Sequence, residues 1–116
     1  MLKRIHRITS TFEFNVARKY GEYYEGQFFH IYFLKPRNYE GPTKVGIVVS
    51  TKTAKKATKR NRVKRVFREV IRKNFEKIDK GNLWIVIHPK ASSLDKKYEE
   101  INTDFNQVLQ KVSLPS

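Results

Sequence analysis

Apolar side chains recur every three or four residues in two stretches of the chain, which is the spacing of one helix face. The first stretch begins at Thr58 and has these apolar positions: Val63, Val66, Phe67, Val70, Ile71, Phe75 and Ile78. The second stretch has another set: Leu94, Tyr98, Ile101, Phe105, Val108, Leu109 and Val112. Both stretches predict helices that pack along one face, and Ser92 or Ser93 is expected to cap the second helix.

A shorter helix is predicted between Ser10 and Gly21. Ser10 and Glu13 have the spacing of a capping box, and glycine is common just after a helix. One side of this helix carries Phe12, Val16 and Tyr20. Phe14 and Arg18 project from another side, so Phe14 is an aromatic residue without an evident core position.

Three runs of β-branched and aromatic residues predict strands at residues 27–34, 44–50 and 83–87. Gly41 and Pro42 form a turn signal between the first two runs, which are therefore expected to pair as a hairpin. The third run is continuously apolar and ends at Pro89, as is typical of a central strand. Alternation along the first run gives two faces: Phe29, Ile31 and Phe33 on one, and Phe28, His30 and Tyr32 on the other.

A short edge strand at Tyr23 and Tyr24 is also predicted, and the predicted order is α-β-β-(β)-α-β-α, with an additional strand in brackets. The mixture of helices and strands indicates an α/β (α+β) fold. At 116 residues the chain has room for one domain, residues 1–116. Such a domain buries roughly two-thirds of the surface that its unfolded chain exposes.

Positive charge is concentrated in one segment of the chain. Lysine and arginine total 25 against 11 acidic residues, a net charge of +14. Between Lys52 and Lys73 there are eleven basic residues and one acidic residue, Glu69. At about 100° per residue, a polar stripe lies opposite the apolar side of the predicted helix: Asn61, Arg65, Arg68 and Arg72. Like charges at this spacing repel unless a polyanion lies along them, so the segment predicts contact with nucleic acid.

Several other classes of site are disfavoured. Cysteine is absent, which excludes disulfides, thiolate metal sites and a cysteine nucleophile. No apolar run has the length of a membrane span, so a soluble cytoplasmic protein is expected. A solvated helix face explains four acidic residues better than a two-metal centre does: Asp95, Glu99, Glu100 and Asp104. His6, His30 and His88 lie far apart in sequence, and each is interpreted as a satisfied or exposed histidine. The chain itself is predicted to carry neither a catalytic nor a metal site.

The basic segment contains a dense motif, since residues 59–68 read Lys-Arg-Asn-Arg-Val-Lys-Arg-Val-Phe-Arg. This run resembles the signature of the bacterial ribonuclease P protein family: Arg-Asn-Arg, an aliphatic residue, Lys-Arg, two further residues and Arg. Residues 45–50 are similar to the strand that precedes the family's basic helix. Residues 84–91, followed by Tyr98, are similar to its last strand and the start of its last helix. Arg7, Ile8, Phe14 and Gly21 are similar to its first helix, so the resemblance covers nearly the whole chain.

The resemblance implies a two-layer sandwich with a small mixed sheet, in which the basic helix is a left-handed crossover between parallel strands. It also implies that the protein binds a catalytic RNA and assists removal of the 5′ leader from precursor tRNA. The protein would then be a subunit of an endoribonuclease whose catalytic centre and Mg²⁺ ions lie in the RNA. The expected partners are the catalytic RNA and precursor tRNA, with the protein monomeric and no membrane involved.

The resemblance also implies site residues. The RNA-facing set consists of Arg60, Asn61, Arg62, Lys64, Arg65 and Arg68, and the charge pattern adds Arg72, Lys52, Lys56 and Lys59. A cleft between the first helix and the sheet is expected to hold the single-stranded leader, with Phe14 and Tyr32 stacking on its bases. Arg18 stands where the family often has a second aromatic residue, so charge is expected to contribute there. Phe28 and His30 are the further predicted members of this cleft.

Three alternatives remain open from the residues alone. Phe14 and Tyr32 could each be ordinary core residues. A ribosomal protein or RNA chaperone would share the charge and size of this chain, but not the spacing of the arginine motif. A stand-alone metal nuclease would need clustered carboxylates and histidines, which the sequence disfavours.

The segment before the motif, residues 53–58, departs from the family pattern because it lacks a glycine common there and is one residue longer.

Overall fold

Within residues 3–112, the part of the chain that we describe from a computed structural model, there are three α-helices and four strands. The elements are α1 (Thr11–Tyr20), β1 (Glu22–Glu25), β2 (Phe29–Leu34), β3 (Lys44–Ile47), α2 (Ala57–Ile78), β4 (Trp84–Pro89) and α3 (Tyr98–Lys111). The predicted α/β class is confirmed. Within residues 3–112, no helix combines the length and apolar content needed to cross a membrane.

The four strands form one mixed sheet in the order β1-β2-β4-β3. Strand β2 is antiparallel to both β1 and β4, and β3 is parallel to β4. The predicted hairpin between residues 27–34 and 44–50 is therefore wrong, because β4 lies between these two strands. Strand β4 is buried on both faces, and a central position satisfies its hydrogen bonds on both edges. The hairpin that does form joins β2 to the edge strand β1.

Helix α2 is the crossover between the adjacent parallel strands β3 and β4. Its apolar side chains pack on the same face of the sheet as those of α3 and join Phe29, Ile31 and Phe33 of β2 in the main core. Rings from three elements meet there, since the Phe29 ring centroid lies 5.8 Å from that of Phe67 and 5.6 Å from that of Phe105. The left-handed sense of this crossover stays a prediction.

Helix α1 packs on the opposite face of the sheet, over β2 and β4. Ala17 is fully buried there against a second cluster that includes Ile8, Trp84 and Val86. The predicted two-layer sandwich therefore carries a third layer, made of one helix. Ser10 caps α1 as expected, since its Oγ accepts a hydrogen bond of 3.0 Å from the backbone N–H of Glu13.

The last helix begins later than the sequence pattern suggested. Residues Ala91–Ser93 form a 3₁₀ turn, and α3 starts only at Tyr98. The predicted serine cap is therefore wrong, and Leu94 precedes the helix. Ser93 is buried and donates a hydrogen bond to the carbonyl of Lys90. At the N-terminus of α3, the Glu100 carboxylate instead accepts a hydrogen bond of 2.9 Å from the backbone N–H of Lys97, the residue before the helix.

Asp104 corrects the interpretation of the acidic residues on α3. Its side chain is 5% exposed, and its two carboxylate oxygens accept the backbone N–H groups of Gln27 at 2.9 Å and Phe28 at 2.8 Å. It therefore holds the β1–β2 turn on the core rather than lying on a solvated face. Asp95, Glu99 and Glu100 are exposed, as predicted.

Phe28 lies in the same turn rather than in a strand, unlike the prediction. Strand β2 begins at Phe29, so the alternation of faces does not extend to Phe28. Phe28 is buried in the main core, with the Lys96 ammonium 5.6 Å from its ring centroid. The prediction that Phe28 shares a face with Tyr32 is therefore wrong, and Phe28 is not a member of the candidate leader cleft.

Candidate nucleic-acid interface

One side of α2 is buried and the other is positively charged. The buried set is Val63, Phe67, Val70, Ile71, Asn74 and Ile78. The predicted polar stripe of Asn61, Arg65, Arg68 and Arg72 is exposed along the opposite side. Three lysines near the start of the helix are exposed as well: Lys52, Lys56 and Lys59. Lys64 is partly buried at the edge of the stripe.

Two arginines of the motif hold neighbouring segments of the chain. The Arg60 guanidinium donates to the carbonyls of Ala54 at 2.8 Å and Lys55 at 2.7 Å, which fixes the segment leading into α2. The Arg62 guanidinium donates to the carbonyl of Leu94 at 2.7 Å, which fixes the connection before α3. Each guanidinium has five N–H groups, so these bonds orient the side chains without using all their donors.

The three arginines of the stripe differ in whether a carboxylate pairs with them. The Arg72 guanidinium donates to the Glu69 carboxylate, with 3.1 Å between Nε and Oε2, and this hydrogen bond lowers the pKa of Glu69. The ion pair offsets part of the positive charge at Arg72. Within the described part of the chain, Arg65 and Arg68 have no such carboxylate partner. They are therefore the arginines of the stripe whose positive charge is not offset by a carboxylate among the described residues.

Different roles for two motif arginines predict different effects on folding. We expect Arg62→Ala to lower the free energy of unfolding by about 1 kcal/mol, because it removes hydrogen bonds from a charged donor to backbone carbonyls. Arg65→Ala, on the exposed stripe, should change this free energy by less than about 0.5 kcal/mol. Urea denaturation of the two variants measures the difference, and equal effects would contradict the structural role of Arg62.

Aromatic side chains lie on the face of the sheet that α1 covers, where the leader cleft is predicted. One row across the sheet runs Tyr23, Tyr32, Val86 and Gly46 in register. The ring of Phe14 lies over Gly46, where a Cβ atom would overlap it. Neighbouring strands are about 4.8 Å apart, so the backbones at Tyr32 and Gly46 are separated by roughly 10 Å. Phe14 and Tyr32 are both partly buried, and both pack on the second core cluster.

The next row of the sheet contains two stacked histidines. His30 pairs with His88 across β2 and β4, and their ring centroids are 4.8 Å apart with 17° between the planes. The Tyr32 ring meets both rings edge-on, at 5.8 Å and 5.9 Å. Burial lowers the pKa of His30, and burial, His30 and Arg18 together lower the pKa of His88 to about 4. Both rings are therefore uncharged at neutral pH.

The partly buried His88 predicts a dependence of stability on pH. An unfolded histidine has a pKa near 6.5, so between about pH 4 and pH 6.5 the unfolded chain binds more protons than the folded one. Stability is therefore full above this range and decreases as the pH falls through it, by about 1 to 2 kcal/mol after allowance for partial exposure. His88→Phe should flatten the decrease in urea denaturation series. An unchanged slope would contradict the assignment.

A small cavity brings the cleft and the basic helix together. It has a volume of about 140 Å³ and lies where α1, β3 and α2 meet. Phe14 lines it from α1, Arg68 from α2, and Arg7 from the segment before α1. The structure thus places an aromatic ring and a cation of the predicted stripe, 54 positions apart in sequence, at one site.

Three residues of this surface were not among the predicted site residues. Tyr23 lies beside Tyr32 at the sheet edge, and its hydroxyl donates to Glu25 at 2.6 Å, which raises the pKa of Tyr23 to about 12. His88 and Arg7 also contribute. Their positions follow from strand register and from the chain passing beside β3, so only the strand pairing could have identified them.

No metal-binding cluster is found in the part of the chain that the structure describes. Within residues 3–112, no three His, Asp or Glu side chains are placed to hold a metal ion together. His6, the remaining histidine, faces Thr43, with 2.8 Å between its Nδ1 and the Thr43 carbonyl oxygen.

Comparison with known proteins gives a consistent assignment. The model of the family described as Ribonuclease P matches residues 2–113. The Ribonuclease P protein component of Finegoldia magna is 36% identical over 107 residues, covering 92% of this chain and 90% of that protein. The same component of Microcystis aeruginosa is 33% identical over 118 residues, covering 97% and 95%.

Solved structures show the same fold. The RNase P protein from Thermotoga maritima matches with a TM-score of 0.77 and 25% identity, over 92% of this chain and 97% of that chain. The Staphylococcus aureus RNase P protein matches with a TM-score of 0.77 and 24% identity, over 91% and 94%. With a family model that covers nearly all of its length and relatives more than 30% identical across it, the chain belongs to the ribonuclease P protein family, the protein components of a tRNA-processing ribonucleoprotein.

Proposed function

We propose that this chain, as one RNA-binding domain spanning residues 1–116, binds the catalytic RNA of ribonuclease P through α2 and holds the 5′ leader of precursor tRNA in the cleft beside α1. It would act in the cytoplasm as a monomeric subunit. The RNA, with its Mg²⁺ ions, would cut the leader from the tRNA. The protein would contribute binding energy and orientation.

The cavity shared by Phe14 and Arg68 supports this proposal most directly. An RNA strand that stacks on Phe14 would have its backbone within reach of Arg68 and Arg7. Stacking on an aromatic ring depends little on base identity, and guanidinium groups bind phosphate in any sequence. Such a surface suits leaders of varied sequence, which a processing enzyme for many tRNAs must accept.

Each part of the site has a distinct role in this proposal. Arg65 and Arg68 would contact phosphates, with Asn61 and Lys64 beside them on the helix. Arg60 and Arg62 would keep the two adjoining segments in place while offering their remaining donors to the RNA. Phe14 and Tyr32 would stack on leader bases, and Arg18, which is partly buried near His88, would contact the leader backbone.

Reconstitution with precursor tRNA tests the proposed function. The purified protein, a bacterial ribonuclease P RNA and precursor tRNA are combined, and cleavage at the 5′ end of the tRNA is followed at low Mg²⁺ concentration. We expect cleavage only when the RNA is present, with the protein strengthening substrate binding. Cleavage by the protein alone would instead indicate a metal nuclease, and the absence of any effect would favour a ribosomal protein or RNA chaperone.

A further inference from the structure

A second aromatic surface lies on the side of α1 away from the leader cleft. Phe12 and Tyr20, which recur on one side of α1, are 69% and 65% exposed instead of being packed in the core. They border a groove of about 730 Å³ between α1 and the chain that follows β2, with Trp84 also lining it. Proteins usually bury rings of this size, so two exposed rings beside one groove indicate a surface used for binding.

The groove is positively charged at its rim. Lys35 and Arg37 line it, and the Lys19 ammonium lies 5.4 Å from the ring centroid of Tyr20. Among the described residues that line the groove there is no carboxylate. The charge therefore complements a polyanion.

The tryptophan of the groove has an unused hydrogen-bond donor. Trp84 is 8% exposed, and its Nε1–H has no partner among the described residues. A buried indole N–H normally has an acceptor, but this nitrogen atom is shielded from solvent, so Trp84 contributes ring surface rather than a donor to the groove. Pro36 adds a flat apolar surface nearby.

We propose that this groove binds an unpaired strand of RNA other than the leader, with bases stacked on Phe12 and Tyr20 and phosphates beside Arg37. Flat rings combined with cations are the features that bind single-stranded nucleic acid without sequence preference. A groove for an apolar helix would favour aliphatic side chains, and one for an acidic peptide would not need exposed rings. The assignment of this strand to the catalytic RNA rests on the proposed function, in which the leader occupies the opposite side of α1.

Fluorescence of Trp84 tests the proposal directly, because it is the single tryptophan of the chain. The full-length protein is titrated with a five-nucleotide oligouridine at low salt. We expect saturable quenching that weakens at least about fivefold when Phe12 and Tyr20 are both replaced by alanine. Arg37→Ala should reduce the salt dependence of this binding. Both rings are mostly exposed, so circular dichroism should show an unchanged fold.

Two further variants distinguish base stacking in this groove from simple apolar contact and from binding in the leader cleft. Phe12→Leu with Tyr20→Leu keeps much of the apolar surface but removes the aromatic faces, so it should lose oligouridine binding as the alanine pair does. Phe14→Ala, on the other side of α1, should retain the quenching. Loss of quenching in Phe14→Ala alone would assign the signal to the leader cleft and overturn the proposal, whether or not the leader itself binds there.

The source of the RNA is tested in the assembled complex. The Phe12 and Tyr20 alanine pair should weaken the binding of protein to catalytic RNA, and should change the affinities for leader-bearing and leaderless tRNA by the same factor. A selective loss for leader-bearing tRNA would overturn the assignment to the catalytic RNA. Tighter binding of an acidic, phenylalanine-containing peptide than of oligouridine, or self-association abolished by the leucine pair, would overturn RNA as the ligand.

Discussion

Replacing both Arg65 and Arg68 with alanine should lower the affinity of the protein for the catalytic RNA by roughly 100-fold, since two charge-assisted contacts of about 1.5 kcal/mol each would be lost. Both side chains are exposed on the charged side of α2. The slope of log affinity against log salt should flatten by about 0.7 to 0.9 for each contact removed. The free energy of unfolding should remain close to that of the unmodified protein, because neither side chain packs in the core.

A matched variant controls for the simple loss of charge. The double variant Lys77→Ala with Lys80→Ala also removes two positive charges, but from the far end of α2 and the turn after it. Because those lysines lie away from the proposed RNA contact, their loss should have a much smaller effect on affinity and salt slope. Binding that depends on net charge alone would make the two double variants equal, and the assignment of the arginine stripe would then be abandoned.

Phe14→Ala should weaken the binding of leader-bearing precursor tRNA to the complex of RNA and protein by about 1 to 3 kcal/mol, the usual value of one base stacked on one ring. Binding of mature tRNA should change little, because in the proposed function the cleft holds only the leader. Phe14 is partly buried over Gly46, so some loss of stability is also expected. That loss should be smaller than the roughly 3 to 5 kcal/mol typical of a fully buried phenylalanine.

Two other phenylalanines provide the controls for this experiment. Phe67→Ala, in the main core, should show the full loss of stability without a preference between the two tRNAs. Phe12→Ala, on the same helix but the opposite side, should change both affinities alike. Equal effects of Phe14→Ala on leader-bearing and leaderless tRNA, together with a large loss of stability, would show that Phe14 is an ordinary core residue.

Local periodicity alone determined the two-sided character of α2. A repeat of apolar residues at three and four positions describes one helix face whatever its neighbours are, so Val63, Phe67 and Val70 were correctly assigned to the core. The complementary stripe of Arg65 and Arg68 followed by the same rule. The presence of the strands, including the edge strand at Tyr23, was predicted for a similar reason. The alternation of side chains and the residue composition that indicate a strand can both be read within one segment of the chain.

Only the tertiary structure decided which segments meet. Insertion of β4 between β2 and β3 stacks His30 on His88, 58 positions away, and no local pattern encodes such a pairing. Asp104 was interpreted as a surface residue, since its burial depends on two backbone N–H groups supplied by a distant turn. The structural role of Arg62 was also missed, because it depends on a hydrogen bond to the distant carbonyl of Leu94. Sequence determined which residue types could bind RNA, and strand order determined which of them share a site.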